Sequence, residues 1–180
     1  IKARLEHAGI FCERNLLKTG VLCSVGAGHP VVALRADIDA LPLQEETGLP
    51  YSSEIKGVMH ACGHDFHAAT ILGAALLLKQ MESELKGTVK LIFQPAEEAP
   101  GGAGLVLESG FLDDVDAIFG VHTIPLFDKG TLCLREGATH AAVDRFEITI
   151  EGTGTHAAHP DLGVDPIVAA AALVSSCQTI

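Results

Sequence analysis

Hydrophobic positions in the first two thirds of the chain fall into short runs separated by glycine, proline and charged residues. Short runs rich in β-branched residues predict strands, and the longer apolar segment after residue 64 predicts a helix buried on most sides. Strands and helices that alternate in this way are typical of an α/β fold with a mostly parallel sheet. The predicted strands are 21–25, 31–36, 88–93 and a buried one at 117–121, the predicted helices are 1–8, 65–81 and 101–108, and 42–58 is a loop.

The pattern changes after about residue 122. Residues 143–150 alternate between apolar and polar side chains, which predicts a strand with one face in water. Asp165 and Pro166 are a typical N-cap and first residue of a helix. The uncharged segment that follows predicts a helix that is buried. We therefore place a boundary near residue 137, with one domain at 1–137 and the beginning of a second at 138–180.

Composition and charge exclude several functions. Of the 180 residues, 48% are hydrophobic and 19% are charged, so the chain can form a packed core. The net charge of −11 argues against a protein that binds nucleic acid or an anionic membrane through basic residues. The uncharged C-terminal run is shorter than the roughly 20 residues that a membrane span needs. We expect neither nucleic acid nor membrane as a partner.

The cysteines and the chain ends bear on the cellular location of the protein and on whether the chain is truncated. There are five cysteines without a Cys-x-x-Cys pair, which makes a disulfide framework improbable and favours a reducing, cytoplasmic location. Apart from Cys62, we interpret them as small buried residues. No signal peptide is visible, and the chain begins with Ile1 rather than methionine. The uncharged segment after Asp165 predicts a helix that packs against residues further along the chain than residue 180. We therefore expect that the chain is truncated.

Candidate chemistry concentrates around the nine histidines. The segment 60–67 contains three of them together with Cys62. In an extended stretch Cys62 and His64 share a face, so both could bind one metal ion. A single sulfur ligand is unlike the sulfur-rich sites of structural zinc, which favours a catalytic metal over a structural one. Each histidine taken alone could equally be a hydrogen-bonded structural residue.

Carboxylates and a further histidine follow the predicted strands, where active sites of α/β folds lie. Glu97 and Glu98 could supply one metal ligand and one general base, or could simply be a solvated acidic pair. His122 ends a strand, which is weak evidence alone. Asp37 and Asp39 share a face, and either could orient a metal ligand or merely cap a turn.

Together these motifs resemble a known family, the metal-dependent amidohydrolases of the aminoacylase and carboxypeptidase superfamily. The most similar branch contains hippurate hydrolase, N-acetyldiaminopimelate deacetylase and the plant auxin-conjugate hydrolases. The resemblance covers nearly the whole chain. The matching segments are 34–42, 48–51, Met59-His-Ala-Cys-Gly-His-Asp-Phe-His67, Phe93-Gln-Pro-Ala-Glu-Glu98, Gly120-Val-His122, 152–160 and 165–167.

The resemblance implies a metal centre in a three-layer α/β/α catalytic domain. Two divalent ions would be bound by Cys62, His64, Glu98 and His122, and mixed sulfur, nitrogen and oxygen ligands suit Mn, Zn, Co or Ni. Glu97 would be the general base.

The resemblance assigns further roles outside these ligands. Asp37 would lie behind the metal site. Residues 152–160 would open an α+β lid through which the full-length protein dimerises, and His156 would stabilise the oxyanion of an N-acyl amino acid substrate, often in the partner subunit.

The chain also departs from the family. A further metal-binding histidine, expected near the C-terminus of a chain about twice this length, is missing here, which predicts a fragment. The missing ligand leaves open that this chain is a catalytically inactive metal-binding fragment. Two other functions also remain open: a metallo-dipeptidase, and an enzyme in which Cys62 is the nucleophile and His64 or His122 is its base.

Overall fold

The structure, a computed structural model, describes residues 1–13, 17–99 and 101–179. The chain forms two compact units, Ile1–Lys129 and Gly130–Ile180. The strands are β1 (Phe11–Cys12), β2 (Val21–Gly26), β3 (Val31–Asp37), β4 (Thr88–Gln94) and β5 (Ala117–Gly120), and the helices are α1 (Lys2–His7), α2 (His64–Gln80), α3 (Gly102–Glu108) and α4 (Pro166–Cys177), with 3₁₀ turns at Glu82–Glu84 and Pro160–Leu162.

A five-stranded mixed sheet, in the order β1-β2-β4-β3-β5, forms the centre of the first unit. Strand β3 runs parallel to both β4 and β5, whereas β2 is antiparallel to β4 and β1 is antiparallel to β2. The α/β class is confirmed, but the parallel part is limited to β4, β3 and β5. A parallel neighbour needs a crossover of a dozen residues or more, and the link from β1 to β2 is too short for one.

Helices cover both faces of this sheet, so the unit has three layers. Neighbouring strand residues point to opposite faces. Phe93 therefore packs with Ile71 of α2, whereas Ile92 packs with Val106 of α3. Helix α1 lies on the same side as α2 through Leu5.

Two predictions of burial in this unit are wrong. Helix α2 buries one face only, and Leu77 on its other side is 62% exposed. Strand β5 is exposed along its length because it lies at the edge of the sheet. An apolar sequence predicts an element that can be covered, but it does not say which neighbour covers it.

The second unit also differs from the sequence-based expectation. Residues 143–150 form no strand, because an alternating pattern becomes a strand only where its backbone groups can pair with a neighbour. Helix α4 is confirmed, and the Asp165 carboxylate accepts the backbone N–H of Ile167 at 2.8 Å. None of the described residues of α4 is buried. Its burial is expected against partners further along the chain, so it stays a prediction.

Two of the cysteines form a disulfide, contrary to the expectation of free thiols. Cys12 and Cys23 are directly opposite each other in the β1–β2 pair, with their Cα atoms 4.1 Å apart. The sequence could not reveal this pairing because it depends on strand register. Both side chains are buried as expected, whereas Cys133 is exposed.

The described residues contain no helix that is both long and apolar enough to cross a membrane.

Candidate metal centre

The carboxyl ends of the three parallel strands bring the candidate residues to one edge of the sheet. Asp37 is the last residue of β3, and Glu97 and Glu98 follow β4. His122 follows β5. Strand β3 lies between the other two, so these chain segments converge beyond its end.

Gly63 allows helix α2 to begin beside this edge. Its φ of 81° is in the left-handed region, which side chains with a Cβ disfavour. A Cβ at this position would also clash with the Oγ1 atom of Thr123. The close approach places Cys62 and His64, on either side of Gly63, next to the segment that carries His122.

Cys62, His64 and His122 form a cluster of candidate metal ligands. One ligand atom from each lies within 4.8 Å of the others. The Nδ1 atom of His122 faces the carbonyl oxygen of Thr123 at 2.8 Å and therefore donates to it. The lone pair of His122 Nε2 then points into the cluster, where the Sγ atom of Cys62 is 3.5 Å away.

The Nε2 atom of His64 identifies where a cation would fit. His64 Nδ1 donates to the backbone carbonyl of Asp39 at 3.0 Å, which leaves a lone pair on Nε2. This buried atom has no hydrogen-bond partner among the described residues. Carboxylate oxygens of Asp37, Glu98 and Glu97 lie 3.7, 3.9 and 4.0 Å from it, and none of them can donate a proton when ionised. A metal cation here would accept the lone pair of His64 Nε2 and offset the negative charge of the nearby carboxylates.

The electrostatics of Cys62 also fit a bound cation. Burial raises the pKa of its thiol, the Glu98 carboxylate raises it further, and the result is about 11. Without an added positive charge this sulfur is a thiol at neutral pH, whereas a coordinating thiol is deprotonated by its metal. The raised pKa argues against Cys62 as an unassisted nucleophile, which needs a lowered one.

Asp37 lies behind the cluster in a buried network of its own. Its Oδ1 atom is 2.6 Å from Nδ1 of His67, and its Oδ2 atom accepts from Arg35 at 2.7 Å. Burial opposes ionisation, but the hydrogen bond from His67 and the charge of Arg35 outweigh it, so the pKa of Asp37 is lowered. The sequence motifs assigned no role to His67. Its spacing of three residues from His64 on α2 was the available signal, since such residues share a helix face.

Asp39 connects the metal cluster to the loop after β4. Its Oδ2 atom accepts the backbone N–H of Glu98 at 3.0 Å, and its Oδ1 atom is 3.3 Å from Nδ1 of His64. Burial raises the pKa of Asp39, but the backbone N–H groups of Glu98 and Glu97 lower it by more. Sequence reasoning left open which aspartate orients a ligand, and Asp39 rather than Asp37 contacts His64 Nδ1.

His156 belongs to the second unit. The backbone N–H of Ala158 donates to His156 Nδ1 at 3.1 Å. In the neutral ring the proton is therefore on Nε2, which makes this exposed side chain a hydrogen-bond donor.

The chain can be compared with known proteins as a whole. The family model described as peptidase family M20/M25/M40 matches residues 33–177. The chain belongs to this family. The resemblance inferred from the sequence motifs is thereby confirmed, and the α/β fold follows from it.

Relatives in the M20 family include enzymes that act on N-acyl amino acids. N-acetyl-L-cysteine deacetylase of Bacillus subtilis is 53% identical over 182 residues, which cover 100% of this chain and 44% of the relative. IAA-amino acid hydrolase ILR1-like 5 of Arabidopsis thaliana is 49% identical over 179 residues, covering 99% of this chain and 41% of the relative. The chain thus spans less than half the length of these relatives.

Two solved structures resemble this chain in fold, and one of them is of a metal-binding protein. The YXEP protein of Bacillus subtilis, a dinuclear metal binding peptidase of the M20 family, is 54% identical, with a TM-score of 0.66 over 69% of this chain and 36% of that one. A structure from methicillin-resistant Staphylococcus aureus is 35% identical, with a TM-score of 0.82 over 99% of this chain and 48% of that one.

Proposed function

We propose that the full-length protein hydrolyses the amide bond of N-acyl amino acids and releases a carboxylic acid and an amino acid. The observation that carries this proposal is the unpartnered lone pair of His64 Nε2, which faces the carboxylates of Glu97 and Glu98. This lone pair supports a cation bound beside two carboxylates. Metal-assisted hydrolysis needs such an arrangement, because one carboxylate binds the metal and the other accepts a proton. Membership of the M20 family and the amidohydrolase relatives support the same reaction.

Four side chains would hold two divalent metal ions in this proposal: Cys62, His64, Glu98 and His122. Their mixed sulfur, nitrogen and oxygen donors suit Mn, Zn, Co or Ni. When bound, such ions polarise a carbonyl group and lower the pKa of a coordinated water to about 7.

Glu97 would act as the general base. Its side chain is 40% exposed, so it can reach both water and substrate, and its Oε2 atom is 4.0 Å from Nε2 of His64. The carboxylate accepts a proton from the attacking water and delivers it to the nitrogen of the departing amine. The two roles require one carboxylate that stays free while its neighbour binds metal, which the pair Glu97 and Glu98 provides.

His156 would donate a hydrogen bond to the oxyanion that forms when water adds to the amide carbon. Its Nε2–H is available because Nδ1 accepts from Ala158. A donor of this kind contributes about 3–4 kcal/mol to stabilisation of the transition state.

A small-molecule substrate suits the surroundings of Glu97. A cavity of about 320 Å³ opens beside it, lined also by Arg35 and Gln94. Dimerisation through the second unit and a cytoplasmic location stay predictions.

The proposed function is tested with the full-length gene product, stripped of metal by a chelator. Adding Mn²⁺, Zn²⁺, Co²⁺ or Ni²⁺ separately to a panel of N-acyl amino acids and dipeptides should restore release of the amino acid from the N-acyl substrates. Hydrolysis of dipeptides alone would replace the proposal with a dipeptidase. Absence of turnover with every metal and both substrate classes would overturn amide hydrolysis and favour a metal-binding role.

A further inference from the structure

The adjacent residues Glu97 and Glu98 follow strand β4, yet both of their side chains face His64. In an extended chain, neighbouring side chains point to opposite faces. Here the carboxylates of Glu97 and Glu98 nevertheless lie 4.0 and 3.9 Å from the same atom, His64 Nε2. The backbone must therefore turn between the end of β4 and these residues.

The turn is made at Ala96, whose φ is +52°. Among the described residues it is the one non-glycine position with a positive φ. In this left-handed region the Cβ of alanine approaches the following carbonyl oxygen, which costs free energy that surrounding structure has to offset.

Asp39 supplies contacts that can hold this turn. Its Oδ2 atom accepts the N–H of Glu98 at 3.0 Å, just beyond Ala96. The N–H of Ile38 donates to the carbonyl of Gln94 at 2.9 Å, which continues the β3–β4 pairing and brings Asp39 to the turn. The side chain of Asp39 is only 18% exposed, so little water competes for these bonds.

We propose that Asp39 is a positioning residue whose carboxylate holds the left-handed turn at Ala96 and thereby keeps Glu97 and Glu98 together on the His64 side. Its effect on catalysis rests on the proposed function, whereas its effect on metal binding does not. Asp39 would act through the glutamates without touching substrate.

The test replaces Asp39 by asparagine in the full-length protein. The amide keeps the shape, but it removes the negative charge and one acceptor. Loss of a group that holds metal ligands in place typically lowers metal affinity or activity by about 10- to 100-fold. We expect Asp39→Asn to weaken Mn²⁺ binding to the metal-free protein by about that factor in calorimetry, and to lower kcat similarly with little change in KM.

Asp116→Asn is the matched control. Asp116 also accepts a backbone N–H from another segment, that of Val31 at 2.7 Å, but Val31 is at the opposite end of β3. The control should lose a comparable hydrogen bond and leave both Mn²⁺ affinity and kcat within about twofold of the wild type.

Substitutions at Ala96 separate positioning from general damage. Ala96→Gly removes the strain, so in the Asp39→Asn background it should recover about 5- to 30-fold of the lost affinity and turnover. Ala96→Val increases the strain with Asp39 intact, and should reduce both quantities even if Asp39→Asn fails to fold.

Three outcomes would overturn the proposal. They are Mn²⁺ affinity and kcat unchanged in Asp39→Asn, equal losses in Asp39→Asn and Asp116→Asn, and no recovery on adding Ala96→Gly. If the wild type hydrolyses no amide, the proposed function fails, but Mn²⁺ affinities of the same variants still decide the role of Asp39.

Discussion

The Nδ1 atom of His67 lies 2.6 Å from the Oδ1 atom of Asp37, and both side chains are almost completely buried. The other ring nitrogen of His67 accepts the backbone N–H of Thr123 at 2.8 Å, directly after His122. A single imidazole thus connects the end of β3 to the backbone beside a candidate ligand.

His67→Ala should lower the free energy of unfolding of the metal-free protein by about 3–5 kcal/mol. The substitution leaves Asp37 buried without its main hydrogen-bond donor, and removing one partner of a buried pair has a cost of this size. Urea denaturation measures the change, with His60→Ala at an exposed position as control. Equal stability of the two variants would show that the buried network contributes nothing.

Gly63→Ala and Gly73→Ala should change stability in opposite directions. Gly63 has a positive φ and its Cβ would clash with Thr123, so alanine should cost about 2 kcal/mol or more and weaken metal binding. Gly73 lies inside α2 with no atom within 4 Å of a new Cβ, so alanine there should add about 0.5–1 kcal/mol. Thermal melts and Mn²⁺ calorimetry on both variants measure the effects. A Gly63→Ala variant that is as stable as the wild type and binds metal equally well would contradict the close approach of Gly63 to Thr123.

Glu97→Ala and Glu98→Ala should separate turnover from metal content in the full-length protein. Glu97→Ala should lose about 10²- to 10⁴-fold in kcat, the usual contribution of a general base, and keep its metal. Glu98→Ala should lose metal as well, because we assign it as a ligand. Elemental analysis alongside kinetics checks both, and normal turnover in Glu97→Ala would transfer the base role to another residue.

Peptide mapping should find Cys12 and Cys23 linked, with the other three cysteines alkylated. The expectation follows from their opposed positions in the β1–β2 pair. Alkylation of the purified, air-oxidised protein before reduction, followed by mass spectrometry, makes the measurement. Alkylated Cys12 and Cys23 in that sample would contradict the pairing.

The stability contributed by Glu82 should disappear in acid. Hydrogen bonds from Lys79 and from the backbone N–H of Gly26 keep the pKa of Glu82 below its ordinary value of 4.5. A carboxylate with a lowered pKa stabilises the fold above its unfolded-state pKa and loses that effect as the pH falls through its folded-state pKa. Glu82→Gln should therefore melt below the wild type at pH 7, and the difference should shrink below about pH 4.5; the exposed Glu84→Gln serves as control.

Elements set by local pattern could be predicted from the sequence. The β-rich run 88–93 corresponds to β4, and the Asp165–Pro166 signal corresponds to the start of α4. Side chains that follow parallel strands could also be expected to meet, since strand ends share one edge of the sheet. The local signals sufficed here because each element is specified by its own residues.

Features that depend on distant partners could not be predicted in this way. Residues 143–150 have the alternation of a strand but form none, and the Cys12–Cys23 pair depends on register. The choice of Asp39 over Asp37 as partner of His64 Nδ1 depends on how β3 ends beside β4. The left-handed backbone at Ala96 has no sequence signal, because glycine is the residue that usually indicates such a turn.

The exposed strand β5 has a practical consequence for experiments. Its position at the sheet edge leaves backbone hydrogen-bonding groups available beside Ile118 and Phe119, which are 53% and 60% exposed. Such an edge can pair with a strand of another molecule. These 180 residues should therefore self-associate increasingly as their concentration rises, and that association would be edge pairing through β5 and distinct from the dimerisation predicted for the second unit.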